Sequence, residues 1–142
     1  MRFLLIDGHS IIHAWDDLRA LHRQPAKRHV ARELLLQRMR HYQDMTEERV
    51  IVVFDGPMAR TTEEREPGGL QIFYADSGTT ADTIIERLVA KYATEHQMTA
   101  ATADGMIRET VSAFGANWTS PESLRRLCDD AEGEMRRRIA KR

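Results

Sequence analysis

Three strand-like runs in the chain each end in an aspartate followed by a glycine. They are Phe3 to Ile6 before Asp7-Gly8, Val50 to Phe54 before Asp55-Gly56, and Met98 to Ala103 before Asp104-Gly105. Short apolar runs are typical of strands buried in a parallel sheet that is covered on both faces. Ligands of such sheets bind at the carboxyl ends of the strands. The three aspartates are therefore predicted to gather at one functional edge.

Segments with apolar residues at helical spacing lie between the predicted strands. Helices are predicted up to about Leu21, from about Ala26 to Asp44, from Thr79 onwards, up to about Phe114 and from Pro121 to the end, with further strands at Leu70 to Ala75 and Asn117 to Thr119. Ser10 and Ser120 are predicted to cap helices, Gly115 to end one, and the polar stretch from Met58 to Gly69 to form a mobile surface loop. This alternation predicts a single α/β domain over residues 1–142, with a mostly parallel sheet of about five strands in a three-layer α/β/α arrangement.

The composition limits the class of protein. The 142 residues are 42% hydrophobic and 30% charged, as expected of a soluble globular protein. The net charge of −1 argues against an overall basic nucleic-acid binder, so any such binding must use a local patch. No apolar run is long enough to span a membrane, no secretory signal precedes the first predicted strand, and the single cysteine, Cys128, excludes an internal disulfide. A cytoplasmic location without a membrane partner is expected.

Asp82 and Glu86 add two carboxylates to the predicted functional edge. They are four residues apart, so they share one face of the helix that follows the third predicted strand. With Asp7, Asp55 and Asp104 they form a candidate pocket of five acids, where mutual repulsion raises pKa values unless a cation neutralises it. Mg²⁺ and Mn²⁺ prefer such oxygen ligands. A site of this kind can activate water and stabilise both oxygens of an in-line phosphodiester displacement.

Each acid also has a structural interpretation. Asp7-Gly8 and Asp55-Gly56 are common turn pairs, Asp104 can cap a helix, Asp82 stands close to a capping-box position after Thr79, and Glu86 can be solvated. The histidines show no spacing typical of a metal site, and His9 is either a turn residue or one that positions a substrate phosphate. The sequence has no P-loop, nucleophile elbow or dinucleotide-binding glycine motif. It also lacks the second aspartate of a HAD-type phosphatase and the late strand-end lysine of a receiver domain.

The order and spacing of four segments resemble the YacP-like group of NYN domains, within the PIN-like nuclease superfamily. The segments are LLIDGHSII at Leu4–Ile12, VVFDG at Val52–Gly56, SGTTADTIIE at Ser77–Glu86 and TADGMIRETVSAFGA at Thr102–Ala116. The resemblance implies a metal-dependent endoribonuclease that acts on single-stranded RNA, and some YacP-like members are linked to the translating ribosome. It carries the family's metal-binding acids to Asp7, Asp82 and Asp104, with Asp55 and Glu86 as further catalytic contributors.

The chain departs from the group at two positions that bear on activity. Ser10 replaces the asparagine that supports the first acid in the family, and Arg108 stands near a position where many members have glutamine. These departures favour the alternative, a non-catalytic RNA-binding module on the same fold. The candidate RNA contacts are Ser10, Lys27, Arg32, Arg60 and Arg65.

Overall fold

The computed structural model describes residues 1–58, 62–65, 69–76 and 78–141. In this part of the chain six strands form one sheet, in the order β3-β4-β2-β1-β5-β6. The strands are β1 (Arg2–Asp7), β2 (Glu48–Met58), β3 (Thr62–Arg65), β4 (Gln71–Asp76), β5 (Gln97–Ala101) and β6 (Asn117–Thr119). Every neighbouring pair is parallel except β3 and β4, so the predicted mostly parallel α/β sheet is confirmed.

Helices cover both faces of this sheet. They are α1 (Gly8–Ala14), α2 (Asp16–His22), α3 (Arg28–Met45) after a 3₁₀ turn at Pro25–Lys27, α4 (Ala81–Tyr92), α5 (Gly105–Ala113) and α6 (Pro121–Ala140). None of the described helices combines the length and the apolar character needed to cross a membrane.

Successive residues of β1 point to opposite faces of the sheet and divide the core into two layers. Leu4 and Ile6 pack with residues of α1, α2, α3 and α6, whereas Leu5 packs with residues of α4 and α5. Strand β1 lies between β2 and β5, and its last four residues are buried. The carboxyl end of β1 therefore lies near the centre of the sheet edge.

The first predicted helix is in fact two helices, α1 and α2, separated at Trp15. This residue has extended backbone angles (φ −88, ψ 121), and its side chain is 4% exposed. Its indole Nε1 donates a hydrogen bond to the carbonyl oxygen of Pro121 at 2.9 Å. The guanidinium groups of Arg38 and Arg125 lie 5.7 and 5.0 Å from the Trp15 ring centroid. The break thus places the indole in the core beneath α3 and α6.

The prediction of a loop from Met58 to Gly69 is wrong for its middle part, where β3 pairs antiparallel with β4. The exposed residues Glu63, Glu64 and Arg65 show no apolar alternation because this strand is at the sheet edge. It is the additional strand beyond the predicted five. Two predicted helix ends are confirmed, since Gly115 has a φ of 88° and Ser120 accepts a hydrogen bond from the Ser123 amide at 3.1 Å.

Gly8 lets α1 begin directly against the ring of Phe54. A Cβ atom at Gly8 would lie 2.4 Å from Cε1 and 2.5 Å from Cδ1 of Phe54, whose side chain is fully buried. We expect Gly8→Ala to lower the free energy of unfolding by about 1–3 kcal/mol, the usual cost of overpacking a core. Urea denaturation measures this change.

Gly105 provides the matched control, because it also begins a helix after an aspartate but has no atom within 4 Å of its added Cβ. Gly105→Ala should raise the free energy of unfolding by up to about 1 kcal/mol. Equal stability of Gly8→Ala and the wild type would contradict the steric argument.

Candidate active site

Asp7 is the last residue of β1 and the N-cap of α1. Its carboxylate accepts hydrogen bonds from the Ser10 amide (3.4 Å), the Ser10 hydroxyl (2.9 Å) and the Thr102 hydroxyl (3.1 Å). These donors hold a nearly buried carboxylate, 6% exposed, in one orientation. Ser10 was predicted to be the cap of α1. That prediction is wrong, because Ser10 supports the capping aspartate from within the first turn.

Thr102 connects Asp7 to Asp104 through hydrogen bonds of its hydroxyl group. Its hydroxyl is a hydrogen-bond partner of Asp7, lies 3.2 Å from the Ser10 hydroxyl and accepts the Asp104 amide at 3.1 Å. Thr102 is 0% exposed, and sequence analysis gave it no role. Its position directly after β5 was the available signal. Asp104 caps α5 through the Met106 amide (2.9 Å), so its structural interpretation is confirmed.

Asp82 lies in the first turn of α4, where its carboxyl group faces those of Asp7 and Asp104. Burial is the main cause that raises its pKa, and the two neighbouring carboxyl groups raise it further, to about 8. The cap of α4 is Thr80 and not Thr79, since Thr80 accepts the Thr83 amide at 3.2 Å; Asp82 is therefore two residues after the cap and not at the capping-box position. Among the described residues, Oδ1 of Asp82 is a buried oxygen without a hydrogen-bond partner.

The donor set fits a hard divalent cation. Three carboxylates meet at one edge, and one buried oxygen is unpartnered, which is costly unless another positive or donating group approaches it. Within the described ranges, no three histidine, cysteine or acidic side chains are already arranged as a complete metal site. The carboxyl groups of Asp7, Asp82 and Asp104 are thus neighbours, and their side chains would have to move closer together to coordinate a cation.

Asp55 and Glu86 do not join this group of three. The exposed Asp55 carboxylate accepts the Ala81 amide at 2.7 Å, which ties β2 to the start of α4. Asp55 nevertheless lines the same cleft as Asp7, and this cleft has a volume of about 390 Å³. Glu86 is half-buried one turn beyond Asp82 and is not among the causes of the raised Asp82 pKa.

The family model of the YacP-like NYN domain matches residues 4–142. The chain belongs to the YacP-like NYN domain family. It is 32% identical to the Bacillus subtilis protein named uncharacterized protein YacP, over 99% of this chain and 83% of that protein. The crystal structure of Rae1 (YacP) from Bacillus subtilis matches with a TM-score of 0.78 and 31% identity, covering 99% of this chain and 81% of that one. A tryptophan-to-leucine variant of Rae1 matches with a TM-score of 0.80 and 31% identity, over 98% and 81% of the two chains.

The predicted RNA contacts of this YacP-like domain lie in different places. Lys27 ends the 3₁₀ turn, and Arg32 lies near the start of α3. Arg65 is on the edge strand β3, where it pairs with Glu63 at 2.7 Å and lines a groove with Phe3 instead of the acidic cleft. Arg60 lies outside the described residues. Of the basic candidates that the structure describes, Lys27 and Arg32 are thus the ones on the α2–α3 side of the fold.

The structure brings together three histidines for which the sequence analysis found no common spacing, although it placed His9 beside the predicted site. His9 and His13 are four residues apart on α1, and His22 ends α2. Their ring centroids lie 6.5 Å apart for His9–His13, 6.3 Å for His9–His22 and 4.9 Å for His13–His22. The spacing of His9 and His13 on one helix face was the available signal. His22 could not be placed, because the turn at Trp15 is a tertiary feature.

Asp82→Asn is expected to stabilise the metal-free protein at about pH 8 and not at about pH 4. The folded state keeps a proton on Asp82 up to a pKa of about 8, whereas the unfolded chain releases it near its ordinary value. The stability contributed by this proton is complete below about pH 4 and is lost as the pH rises through about 8. Asparagine stays neutral throughout. Melting temperatures in a chelator, measured across this pH range, give the difference between variant and wild type.

Glu86→Gln is the control, because it removes a carboxylate from the same helix without removing a cause of the raised Asp82 pKa. The difference in melting temperature between Glu86→Gln and the wild type should not change with pH. If the difference in melting temperature between Asp82→Asn and the wild type is equally independent of pH, the three acids do not repel one another as described.

Proposed function

We propose that this YacP-like domain is a Mg²⁺- or Mn²⁺-dependent endoribonuclease that hydrolyses phosphodiester bonds of single-stranded RNA. The observation that carries the proposal is the unpartnered, buried oxygen of Asp82, which lies among the carboxyl groups of Asp7 and Asp104 at the carboxyl edge of the sheet. The nuclease-like character of the NYN family supports it. Repulsion within an uncompensated cluster of acids destabilises the folded state, and a bound cation would neutralise it.

Asp7, Asp82 and Asp104 would hold the cation in this proposal. When bound, the cation supplies neutralisation of the acids, activation of water and stabilisation of charge on the phosphate oxygens. Ser10 and Thr102 orient the Asp7 carboxylate through their hydroxyl groups. Asp55 fixes the start of α4, and thereby Asp82, by accepting the Ala81 amide.

The serine at position 10 is compatible with this activity. Its hydroxyl donates to Oδ2 of Asp7 at 2.9 Å, so it supports the first acid as the asparagine is expected to do in the family. Arg108 lies over the ring of Trp118, with 5.3 Å between its guanidinium carbon and the ring centroid. The two departures therefore leave the support of Asp7 in place. Single-stranded RNA, free or on the ribosome, is the proposed partner, and a cytoplasmic location stays a prediction.

Mn²⁺ or Mg²⁺ in excess should raise the melting temperature of the wild type at about pH 8, since a ligand that binds only the folded state stabilises it. A concentration of about 100 times Kd adds about 2.7 kcal/mol, equivalent to a rise of several degrees. Asp82→Asn should lose most of this rise. Differential scanning calorimetry measures both, and an unchanged melting temperature of the wild type would argue against a metal site.

Asp7→Asn, Asp82→Asn and Asp104→Asn should each reduce RNA cleavage by about a hundredfold or more, because displacing a reacting group by about 1 Å already has that effect. Asparagine keeps the helix-capping ability of Asp7 and Asp104, so the variants should remain folded. The assay incubates labelled single-stranded RNA and DNA with the protein, in Mn²⁺, Mg²⁺ or chelator.

Glu109→Gln is the control for this assay, since it removes an exposed carboxylate from α5. It should cleave like the wild type. Glu86→Gln tests the predicted contribution of Glu86, and we expect most activity to be retained because Glu86 is not among the groups that raise the Asp82 pKa. RNA binding without cleavage in either metal would instead favour the non-catalytic RNA-binding module.

A further inference from the structure

Three imidazole rings form a wall on one side of the acidic cleft. His9 and His13 line the cleft together with Asp7 and Asp55, and His22 packs against both histidines from α2. The His9 ring also packs edge-on against Phe54, with 6.1 Å between the ring centroids. His13 is exposed, and His9 and His22 are half-buried. The rings are thus held in place by the fold while parts of them stay open to solvent.

Two arginines lie beside His22, at the α2 end of this histidine wall. Burial lowers the pKa of His22, and the charges of His13, Arg28, His9 and Arg32 lower it further, so these groups face it from α1 and α3. Nε of Arg28 donates to the carbonyl oxygen of His22 at 3.3 Å, which joins the start of α3 to the end of α2. Cationic side chains at the start of α3 therefore lie next to the histidine wall, on its His22 side.

The cleft consequently has two chemically different sides. On one side the Asp7 carboxylate lines the cleft, and the carboxyl groups of Asp82 and Asp104 next to it add to a charge that repels an anion unless a cation lies between. On the other side the imidazoles can donate hydrogen bonds to an anion directly, with one N–H in the neutral ring and two in the charged ring. An RNA strand presents a row of phosphates, so neighbouring phosphates can occupy both sides at once.

We propose that His9, His13 and His22 form a subsite that binds the RNA phosphate next to the one being cleaved. This inference rests on the proposed ribonuclease function and adds the position of the strand, which runs from Arg28 and Arg32 over the imidazoles to the acids. The histidines are positioning residues, because they contact the strand beside the reacting atoms. Contacts to phosphates set the position of a nucleic acid and do not read its sequence.

The test measures Kd for a fluorescently labelled single-stranded RNA in chelator, so that the strand stays intact. The double variant His13→Ala, His22→Ala should raise Kd about tenfold, the equivalent of one lost hydrogen bond to a charged group. The single variant His13→Ala changes an exposed side chain and should raise Kd in the same direction. His13→Arg should bind RNA with a Kd close to that of the wild type, because arginine keeps a hydrogen-bond donor at the position that alanine leaves without one.

Two further variants separate this effect from general loss of charge or of fold. His41→Ala removes an exposed histidine from the other end of α3, away from the cleft, and should bind RNA as the wild type does. Asp104→Asn should bind RNA more tightly in chelator, since it removes a negative charge from the opposite side of the cleft. If the wild type binds RNA and the single and double alanine variants of His13 and His22 bind it with the same Kd, the subsite is overturned. The ribonuclease proposal would still stand. A wild type that neither binds nor cleaves RNA would overturn both.

Discussion

Mutual repulsion between the carboxyl groups of Asp7, Asp82 and Asp104 is the interaction around which this edge of the fold is built. Each of these acids lies at the start of a helix: Asp7 caps α1, Asp104 caps α5, and Asp82 is in the first turn of α4. Helix N-termini carry partial positive charge and unpaired amide donors. Three such ends directed at one place reduce the cost of gathering three acids, although they leave the pKa of Asp82 raised.

The parallel sheet is what brings these helix starts together. Asp7 ends β1 and α1 begins at the next residue, while three residues separate the end of β5 from the start of α5. Because β1 and β5 are parallel neighbours, the chain leaves both strands at the same edge. Gly8 permits the immediate turn by leaving room for the ring of Phe54. The same contact holds the start of α1 on the sheet, and with it both Asp7 and His9.

The acids and the histidine wall give one cleft two ways of holding a polyanion. Hard carboxylate oxygens need a cation between themselves and a phosphate, whereas imidazole N–H groups need none. Both sets include residues of α1, since Asp7 caps this helix and His9 and His13 belong to it, whereas Asp82 and Asp104 lie at the starts of α4 and α5. A shift of α1 would therefore move Asp7, His9 and His13 together, relative to the acids on the other two helices.

Local patterns in the sequence were sufficient for the fold class and for the family. Apolar runs that end in Asp-Gly, with helical spacing between them, predicted the parallel sheet, and the spacing of the four segments indicated the family. Strand ends meet wherever a sheet is parallel, which is why Asp7, Asp55 and Asp104 were predicted to share one edge; Asp82 was added from its place on the following helix, and the family resemblance selected Asp7, Asp82 and Asp104 as metal ligands. Exposed polar segments carry no such periodicity, which is why β3 was missed.

Only the tertiary structure decided which side chains surround those acids. The hydrogen bond between Asp7 and Thr102 joins residues 95 positions apart and exists because β5 is the neighbour of β1. The approach of His22 to His9 and His13 depends on the turn at Trp15, whose indole is held by Pro121 on another helix. Arg65, which sequence analysis assigned to RNA, lies instead on the edge strand. Strand order and helix turns are set by the packing of the whole core, so a local pattern cannot determine contacts that depend on them.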